Sequence, residues 1–358
     1  MNPSLSRRLR WLAPAVAVGV VVAGVAVPRL ADASGALEDL PALTAAELLV
    51  AVSEARVDGL SGTVVSTSRL GLPELPSAGG GSAVSLPGLL SGSTTARVWS
   101  AGEDRSRIAV DGAFAEYDVV RDGRDLWTFD SASSDVTHVT LPEPAQERKA
   151  PLPPGPSTPQ EAAEGVLSLV DPSTEVTVGR AELVADRPAY ELVLTPRDAG
   201  TLVESVRIAV DGDTRIPLRV RVFGEGQTEP ALEVGFTSVD LSAPDASVFD
   251  FVVPPGSEVT EKSFTEKSMT DVPGRPQASA TPSTGTAPTV LGEGWTTVVQ
   301  LDGVQVPESA AGTVAQLSTP VAGGRVLTSA LASVLLLDDG RLLVGAVPAD
   351  RLVELAGR

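Results

Sequence analysis

The sequence predicts a mainly β fold with a minority of helix, an α+β protein, and three observations indicate it. Residues 201–223 show the two-residue alternation of a β-hairpin, with a turn sequence at their centre. Five more short segments of strand character lie between residues 94 and 141, several of them separated by Gly-containing turns. Capping boxes at Thr44 with Glu47 and at Thr158 with Glu161 predict two helices. Together these features predict a large antiparallel sheet covered by helices.

The hairpin at residues 201–223 places two kinds of side chain on opposite faces of the sheet. The aliphatic set is expected to form one wall of the interior: Val206, Ile208, Val210, Leu218, Val220 and Val222. The arginines that alternate with it are interpreted as a solvated outer face: Arg207, Arg219 and Arg221. Asp211, Gly212 and Asp213 predict the turn, with Gly212 at a positive φ.

Composition and charge exclude several classes of function. The chain has 358 residues, a formal net charge of −19 and no cysteine. Because binding to a phosphate backbone needs a basic face, we expect no nucleic-acid partner. The absence of cysteine excludes disulfides, thiolate metal sites and thiol catalysis. Abundant Ala, Gly, Pro, Val and Arg, with very few Lys and Asn, indicate a GC-rich genome such as an actinobacterial one.

The first 33 residues have the features of an export signal. Three arginines precede an uncharged apolar run between Trp11 and Val27, and an A-x-A sequence ending at Ala33 follows. This pattern is typical of a secretory signal peptide, and the run also reaches the short limit of a membrane span. We therefore expect an exported protein, which is either released after Ala33 or anchored at the extracytoplasmic face of the membrane. The sequence leaves both alternatives open.

Shifts in composition divide the chain into four parts. The parts are a signal peptide or membrane anchor at 1–33, a large, mainly β domain at 36–259, a disordered Ser/Thr/Pro linker at 260–290 and a small α/β domain at 291–358. Two stretches of the large domain lack periodicity: a Gly/Ser/Pro-rich loop at 71–92 and a Pro-rich break at 142–156. Further segments are predicted as a helix at 43–55 and strands at 60–67, 175–184, 189–195 and 231–240. The small domain is predicted to contain strands at 295–301 and 342–347, a strand or helix at 326–337 and a helix at 348–355.

Candidate catalytic and metal-binding residues are scarce. His138 is the only histidine, and it lies in a predicted strand with no nucleophile elbow elsewhere in the chain. We interpret it as an ordinary strand residue. The aspartates of the DG-type turns are explained by turn chemistry. We therefore expect no enzymatic activity, no cofactor and no metal site, with a carboxylate-dependent hydrolase as the remaining enzymatic alternative.

Four segments in order resemble the LolA family of lipoprotein carriers. They are VRDGRDLWTFD at residues 120–130, YELVLTPR at 190–197, the hairpin at 201–223 and FDFVVPPG at 249–256. The resemblance implies an incomplete antiparallel β-barrel closed by helices around an apolar cavity that binds acyl chains. The two-domain layout is similar to the related RseB family, in which the protein restrains an anti-sigma factor. The arginine that carriers place after the strand that begins the meander is not matched here, which weakens the transfer of carrier function.

The resemblance leads to two hypotheses about function. In the first, the protein is an extracytoplasmic, membrane-tethered binder of lipids or acylated proteins. Its expected cavity lining consists of Val64, Trp99, Ile108, Trp127, Val206, Ile208, Leu218 and Val220. For more than half of these residues, ordinary core packing is the alternative role. In the second, it is an RseB-like regulatory or scaffold protein, and residues 291–358 contact a membrane protein such as an anti-sigma factor or transporter.

Overall fold

The computed structural model describes residues 40–72, 91–102, 104–112, 115–141, 158–167, 170–263, 288–306 and 308–357. The large domain contains these elements: α1 Ala45–Glu54, β1 Gly59–Arg69, β2 Ser91–Ala101, β3 Arg105–Asp111, β4 Glu116–Asp122, β5 Asp125–Asp130, β6 Asp135–Thr140, α2 Pro159–Leu167, β7 Thr174–Val178, β8 Glu182–Val184, β9 Arg187–Pro196, β10 Val203–Asp211, β11 Pro217–Gly224, β12 Leu232–Asp240, a 3₁₀ turn Ala246–Phe249 and β13 Glu258–Ser263. The small domain contains β14 Thr289–Leu291, a 3₁₀ turn Gly294–Thr296, β15 Val298–Leu301, α3 Glu308–Leu317, β16 Thr319–Val321, β17 Gly324–Thr328, β18 Ser333–Leu337, β19 Leu342–Gly345 and α4 Ala349–Ala356.

One sheet of 13 strands organises the large domain, in the order β13-β6-β5-β4-β3-β2-β1-β12-β11-β10-β9-β7, with β8 also paired to β9. Its ladders are antiparallel except for the one between β13 and β6. Within the described part of the chain, no ladder joins β13 to β7, so the sheet is open. The prediction of a mainly β, α+β architecture is therefore confirmed, while the barrel-like curvature remains a prediction.

Both predicted capping boxes are present. At α1, Glu47 N donates to Thr44 Oγ1 (3.2 Å) and Thr44 N donates to Glu47 Oε2 (2.8 Å). At α2, Glu161 N donates to Thr158 Oγ1 (3.2 Å) and Thr158 N donates to Glu161 Oε2 (3.1 Å). These reciprocal bonds satisfy amide donors that the first helical turn leaves free, and so they fix where each helix begins.

The hairpin β10–β11 forms as predicted, but its turn and its alternation differ from the prediction. Gly212 does not take a positive φ; Arg215 does, at 66°. Gly212 is needed instead for close approach, because a Cβ there would lie 2.5 Å from Leu40 Cδ2 and 2.9 Å from the Pro188 carbonyl oxygen. The pairing also jumps from Ala209–Arg219 to Val210–Pro217. Leu218 is thus the extra residue of a β-bulge, which interrupts the alternation expected for β11.

Two predicted segment boundaries are wrong. Residues 175–184, predicted as one strand, form β7 and β8, which pair with different parts of β9 around a break at Gly179. The start of the predicted linker is a strand, since β13 pairs in parallel with β6 from Glu258 to Ser263. Its polar composition hid the strand because its side chains lie largely in solvent. The predicted export segment, most of the 71–92 loop, the Pro-rich break and residues 264–287 of the linker lie outside the described residues.

The small domain is a six-stranded sheet in the order β14-β15-β19-β18-β17-β16. The segment at 326–337, predicted as a strand or a helix, is the hairpin β17–β18. The predicted C-terminal helix is present as α4, whereas α3, β14 and β16 were missed. Val298, Leu335, Leu343 and Leu352 are central in a separate apolar cluster. The strand predicted at 295–301 begins later, at Val298, after the 3₁₀ turn.

The two sheets contact each other directly. Leu202 N donates to the Ala346 carbonyl oxygen (2.8 Å), and Ala330 N donates to the Leu70 carbonyl oxygen (2.9 Å). Trp295 Nε1 donates to Thr174 Oγ1 (2.8 Å). Within the described ranges, no helix is both long and apolar enough to cross a membrane.

Candidate functional site

The strongest candidate for a ligand-binding surface is an aliphatic face formed by β9, β10 and β11. We call it the helix-covered face, and it consists of Leu192, Leu194, Val206, Ile208, Val210 and Val220. Each of these side chains is at most 4% exposed. Their positions follow from register, because Ile208 pairs with Leu192 on one side and with Val220 on the other. Directly paired residues project to the same side of an antiparallel sheet, so the face is continuous.

Two short helices pack against this face. In α1, the buried side chains are Leu48 and Val52, and in α2 they are Pro159 and Ala163. The segment before α1 is held by Tyr190, whose hydroxyl donates to the Pro41 carbonyl oxygen (2.7 Å). Partly buried side chains of both helices add to this contact, among them Leu49 and Val166. The broad aliphatic surface of the sheet is therefore covered by the apolar sides of two short helices.

The opposite face of the hairpin carries an ion-pair network, which corrects the interpretation of its arginines as a solvated outer face. The side chains of Arg219 and Arg221 are 22% and 20% exposed. Arg221 Nη2 donates to Glu182 Oε1 and to Glu191 Oε1, both at 2.8 Å, and Arg219 also bonds Glu182. Arg207 lies 4.6 Å from the ring centroid of Phe223. The network forms because β8 and β9 bring glutamates beside the hairpin, a pairing that the hairpin sequence does not reveal.

Two glycines make room for this network. A Cβ at Gly179 would lie 2.2 Å from Glu191 Oε2, and a Cβ at Gly235 would lie 2.8 Å from Arg219 Cγ. Both distances are too short for a real contact, so any larger residue would displace the charged side chains. The glycines explain how a partly buried array of charges fits flat against the sheet.

The structure does not bring the eight predicted lining residues together. Val206, Ile208 and Val220 lie on the helix-covered face. Val64, Ile108 and Leu218 belong to a second apolar cluster, which contains side chains from β1–β5 and from β8–β12. All six are at most 9% exposed, as expected for packed core residues.

The two tryptophans lie on the other side of the sheet from Ile108. Trp99 pairs directly with Arg107, the neighbour of Ile108 in the chain, so Trp99 and Ile108 project to opposite faces. Trp127 pairs with His138, in the same row of side chains as Trp99 and Arg107. The expected cavity lining grouped these residues by apolar character, because the sequence does not contain the register between strands that separates them.

The interpretation of His138 as an ordinary strand residue did not predict the contacts that its ring makes. Its ring stacks on Trp127 with centroids 3.9 Å apart and an interplanar angle of 11°. Nδ1 lies 2.8 Å from Glu261 Oε2, and Nε2 lies 2.8 Å from Asp125 Oδ1. No signal in the sequence predicts the contact with Glu261, because β13 is polar and its pairing with β6 joins residues far apart in the chain.

Three carboxylates are nearly fully buried in the described ranges, and each is paired with an arginine. Asp211 binds Arg187 through two bonds of 2.6 and 2.9 Å. Asp118 binds Arg107 (3.1 and 2.6 Å). Burial raises the pKa of Asp118 despite these bonds. Glu191 belongs to the network above. This pairing is typical of structural ion pairs and differs from the two opposed carboxyl groups of a hydrolase. Among the described residues, no group of three or more His, Asp or Glu is arranged to hold a metal.

The small domain also reaches the helix-covered face. Leu331, in the turn between β17 and β18, is 4% exposed and belongs to the same apolar cluster as Ile208. Trp295, Ala330 and Ala346 pack against that cluster as well. The face is therefore closed by two helices of the large domain and by residues of the small domain, of which Leu331 is the most buried.

No family model matches the chain, and no curated protein matches it. Similar solved structures include MucB in complex with MucA(peri), with a TM-score of 0.44, 18% identity and coverage of 87% of this chain and 97% of that chain. The Pseudomonas aeruginosa MucA/MucB complex gives a TM-score of 0.43, 19% identity and coverage of 87% and 96%. A LolA superfamily protein from Nitrosomonas europaea gives 0.24, 16% identity and coverage of 59% and 99%. TM-scores this low do not establish a shared fold.

Proposed function

We propose that this protein is an extracytoplasmic binding protein for lipids or acylated proteins, and that the helix-covered face is where the acyl chain binds. The observation that carries the proposal is a continuous aliphatic sheet face that is covered by two short, separate helices and not by a second sheet. The order of LolA-like sequence motifs supports it. The proposal places the protein at the outer face of the membrane, tethered by residues 11–27 or released after cleavage.

In this proposal, binding requires α1 and α2 to move. The face is fully buried in the structure, so an acyl chain must replace the helical side chains that now cover it. The exchange is close to balanced, because burial of an apolar chain and burial of Leu48 or Val52 stabilise by similar amounts per unit area. A modest gain in buried area then suffices to shift the population towards the open form.

The direct test is to extract purified full-length protein and analyse the extract for acyl species by mass spectrometry. Uptake of a fluorescent fatty acid is measured in parallel. We expect co-purified acyl species and saturable uptake. The absence of both would overturn the proposal.

A matched pair of variants tests whether α1 must move. Thr44→Ala removes the capping box and is expected to destabilise α1 by about 1 kcal/mol, and so to accelerate uptake of the fluorescent fatty acid. Ser53→Ala lies on the same helix, where Ser53 Oγ only donates to the Val50 carbonyl oxygen (2.8 Å), and it should leave uptake unchanged. Equal uptake in both variants would contradict the opening step.

The second candidate is a regulatory or scaffold protein whose small domain contacts a membrane protein. The observation that favours it is Val290, an exposed apolar residue (42%) on the edge strand β14. Edge strands with accessible apolar side chains are a common site of strand addition by a partner. Val290→Lys should then abolish capture of the membrane partner while fatty-acid uptake stays at the wild-type level, and Thr289→Lys serves as its control.

A further inference from the structure

The segment 246–263 lies across the row of side chains that contains Trp99, Arg107 and Trp127, and we call it the strap. Its first half is held by apolar packing and by contacts with arginines that face no histidine. Phe249 is 2% exposed, and Arg107 Nη1 donates to the Val248 carbonyl oxygen (3.1 Å). Phe251 stacks on Trp127 with centroids 5.1 Å apart. The strap ends in β13, after which residues 264–287 lie outside the described structure.

The second half of the strap has little apolar anchoring. Glu258, Val259, Thr260 and Glu261 are all exposed, and β13 is an edge strand. Edge strands with exposed side chains lie at the low end of local stability, since little buried area accompanies their backbone hydrogen bonds. A single well-placed side-chain contact therefore has a large influence on whether β13 stays paired with β6.

That contact is the one at His138. Both ring nitrogens lie 2.8 Å from a carboxylate oxygen, Nδ1 from Glu261 on β13 and Nε2 from Asp125 on β5. A neutral imidazole carries one N–H and donates to only one of them, whereas the imidazolium donates to both. The stacked Trp127 ring also favours a cation over its face. Asp125 and Glu261 are the charged groups shown facing His138 in the described structure.

We propose that His138 holds the strap on the sheet in a pH-dependent way. When His138 is protonated, it bridges Asp125 and Glu261 and holds β13 on β6. When it is neutral, one carboxylate faces a lone pair and the strand is released more often. This inference rests on the proposed extracytoplasmic location, which exposes the protein to the pH of its surroundings. The C-terminal end of the strap, which leads towards the small domain, is then held more tightly while His138 is protonated than while it is neutral.

The test is amide hydrogen exchange of the full-length protein between about pH 5 and pH 8, with each rate divided by the intrinsic rate at that pH. We expect protection of β13 to fall by about 1.4- to 5-fold as His138 loses its proton, the range for one solvent-exposed ion pair. Protection around Phe249 should not change, which makes it an internal control. Because His138 is the only histidine in the chain, its ¹⁵N resonances report its protonation without ambiguity.

Three variants complete the test. In His138→Gln and in Glu261→Gln, protection of β13 should lose its pH dependence. Glu258→Gln changes another exposed glutamate of the same strand and should keep the wild-type profile. The proposal is overturned if wild-type β13 protection does not follow the protonation of His138, or if His138→Gln retains the wild-type pH dependence. Circular dichroism of each variant confirms that the sheet is intact.

Discussion

Replacing Arg187 by methionine should destabilise the protein more than most single changes, because it leaves the buried carboxylate of Asp211 without its counter-ion. The Asp211 side chain is 1% exposed. It accepts two bonds from Arg187 (2.6 and 2.9 Å), one from the Asp213 amide (3.2 Å) and two from Thr214 (2.8 and 2.7 Å). Arg187→Met removes the two charged bonds. At about 1.5 kcal/mol each, the loss in free energy of unfolding is about 3 kcal/mol.

The assay is urea unfolding of the whole chain, with Arg69→Met as the matched control. Arg69 pairs with Glu229 at 3.4 Å on the surface, where both side chains are exposed, so its loss should cost less than about 1 kcal/mol. Replacing both partners, Arg187→Met with Asp211→Asn, should restore part of the stability. Equal effects of the two single variants would refute the reasoning that Asp211 depends on its ion pair.

The same pair also sets an acid dependence. Burial alone would raise the pKa of Asp211, but the hydrogen bonds from Arg187 and Thr214 outweigh it and hold the pKa below its usual value. A carboxyl group with a lowered pKa contributes stability above its unfolded pKa and loses it as the pH falls through the folded value. The difference in stability between wild type and Arg187→Met should therefore be largest near neutrality and shrink below about pH 4.

Two further outcomes follow from close packing and from burial. Gly179→Ala places a Cβ against the Glu191 carboxylate and should cost about 1–3 kcal/mol. Gly165→Ala, in a helix with no atom near the added Cβ, should be neutral or stabilising by about 0.5–1 kcal/mol; the reverse order in urea unfolding would contradict this. Burial raises the pKa of Tyr117 to about 12, so one tyrosine should ionise late in an alkaline absorbance titration and stability should fall above about pH 10. Tyr117→Phe should remove the late step, and its persistence would assign it elsewhere.

The elements that sequence analysis placed well are those controlled by neighbours in the chain. The capping box at Thr44 and the hairpin at residues 201–223 need only local hydrogen bonds and alternation, so their signals are complete within a short window. Leu218 is an example of a position that these local signals do not predict. A bulge between Ala209 and Val210 depends on how two strands are aligned, and a one-residue change moves a side chain to the other face.

The candidate site was harder to predict because it depends on strand order. Arg219 and Arg221 alternate with aliphatic residues as a solvent-facing set does, but glutamates of β8 and β9 lie beside them and pair with them. Trp99 was grouped with Ile108 on apolar character, although register places them on opposite faces. Glu261 lies in a polar segment whose pairing with β6 joins residues far apart in the chain.

The insertion of Leu331 into the core of the large domain has a consequence for how the chain unfolds. A leucine that is 4% exposed on a turn of the small domain fills space among the side chains of the large one. Its removal leaves a cavity that costs about 2–5 kcal/mol, a substantial part of the stability of a typical domain. The two sheets should therefore unfold in one cooperative transition. A chain that ends before residue 288 should expose the apolar side chains of the large domain that Leu331 covers, and it should aggregate. Point variants of the full chain are for this reason the sound way to separate the roles of the two domains.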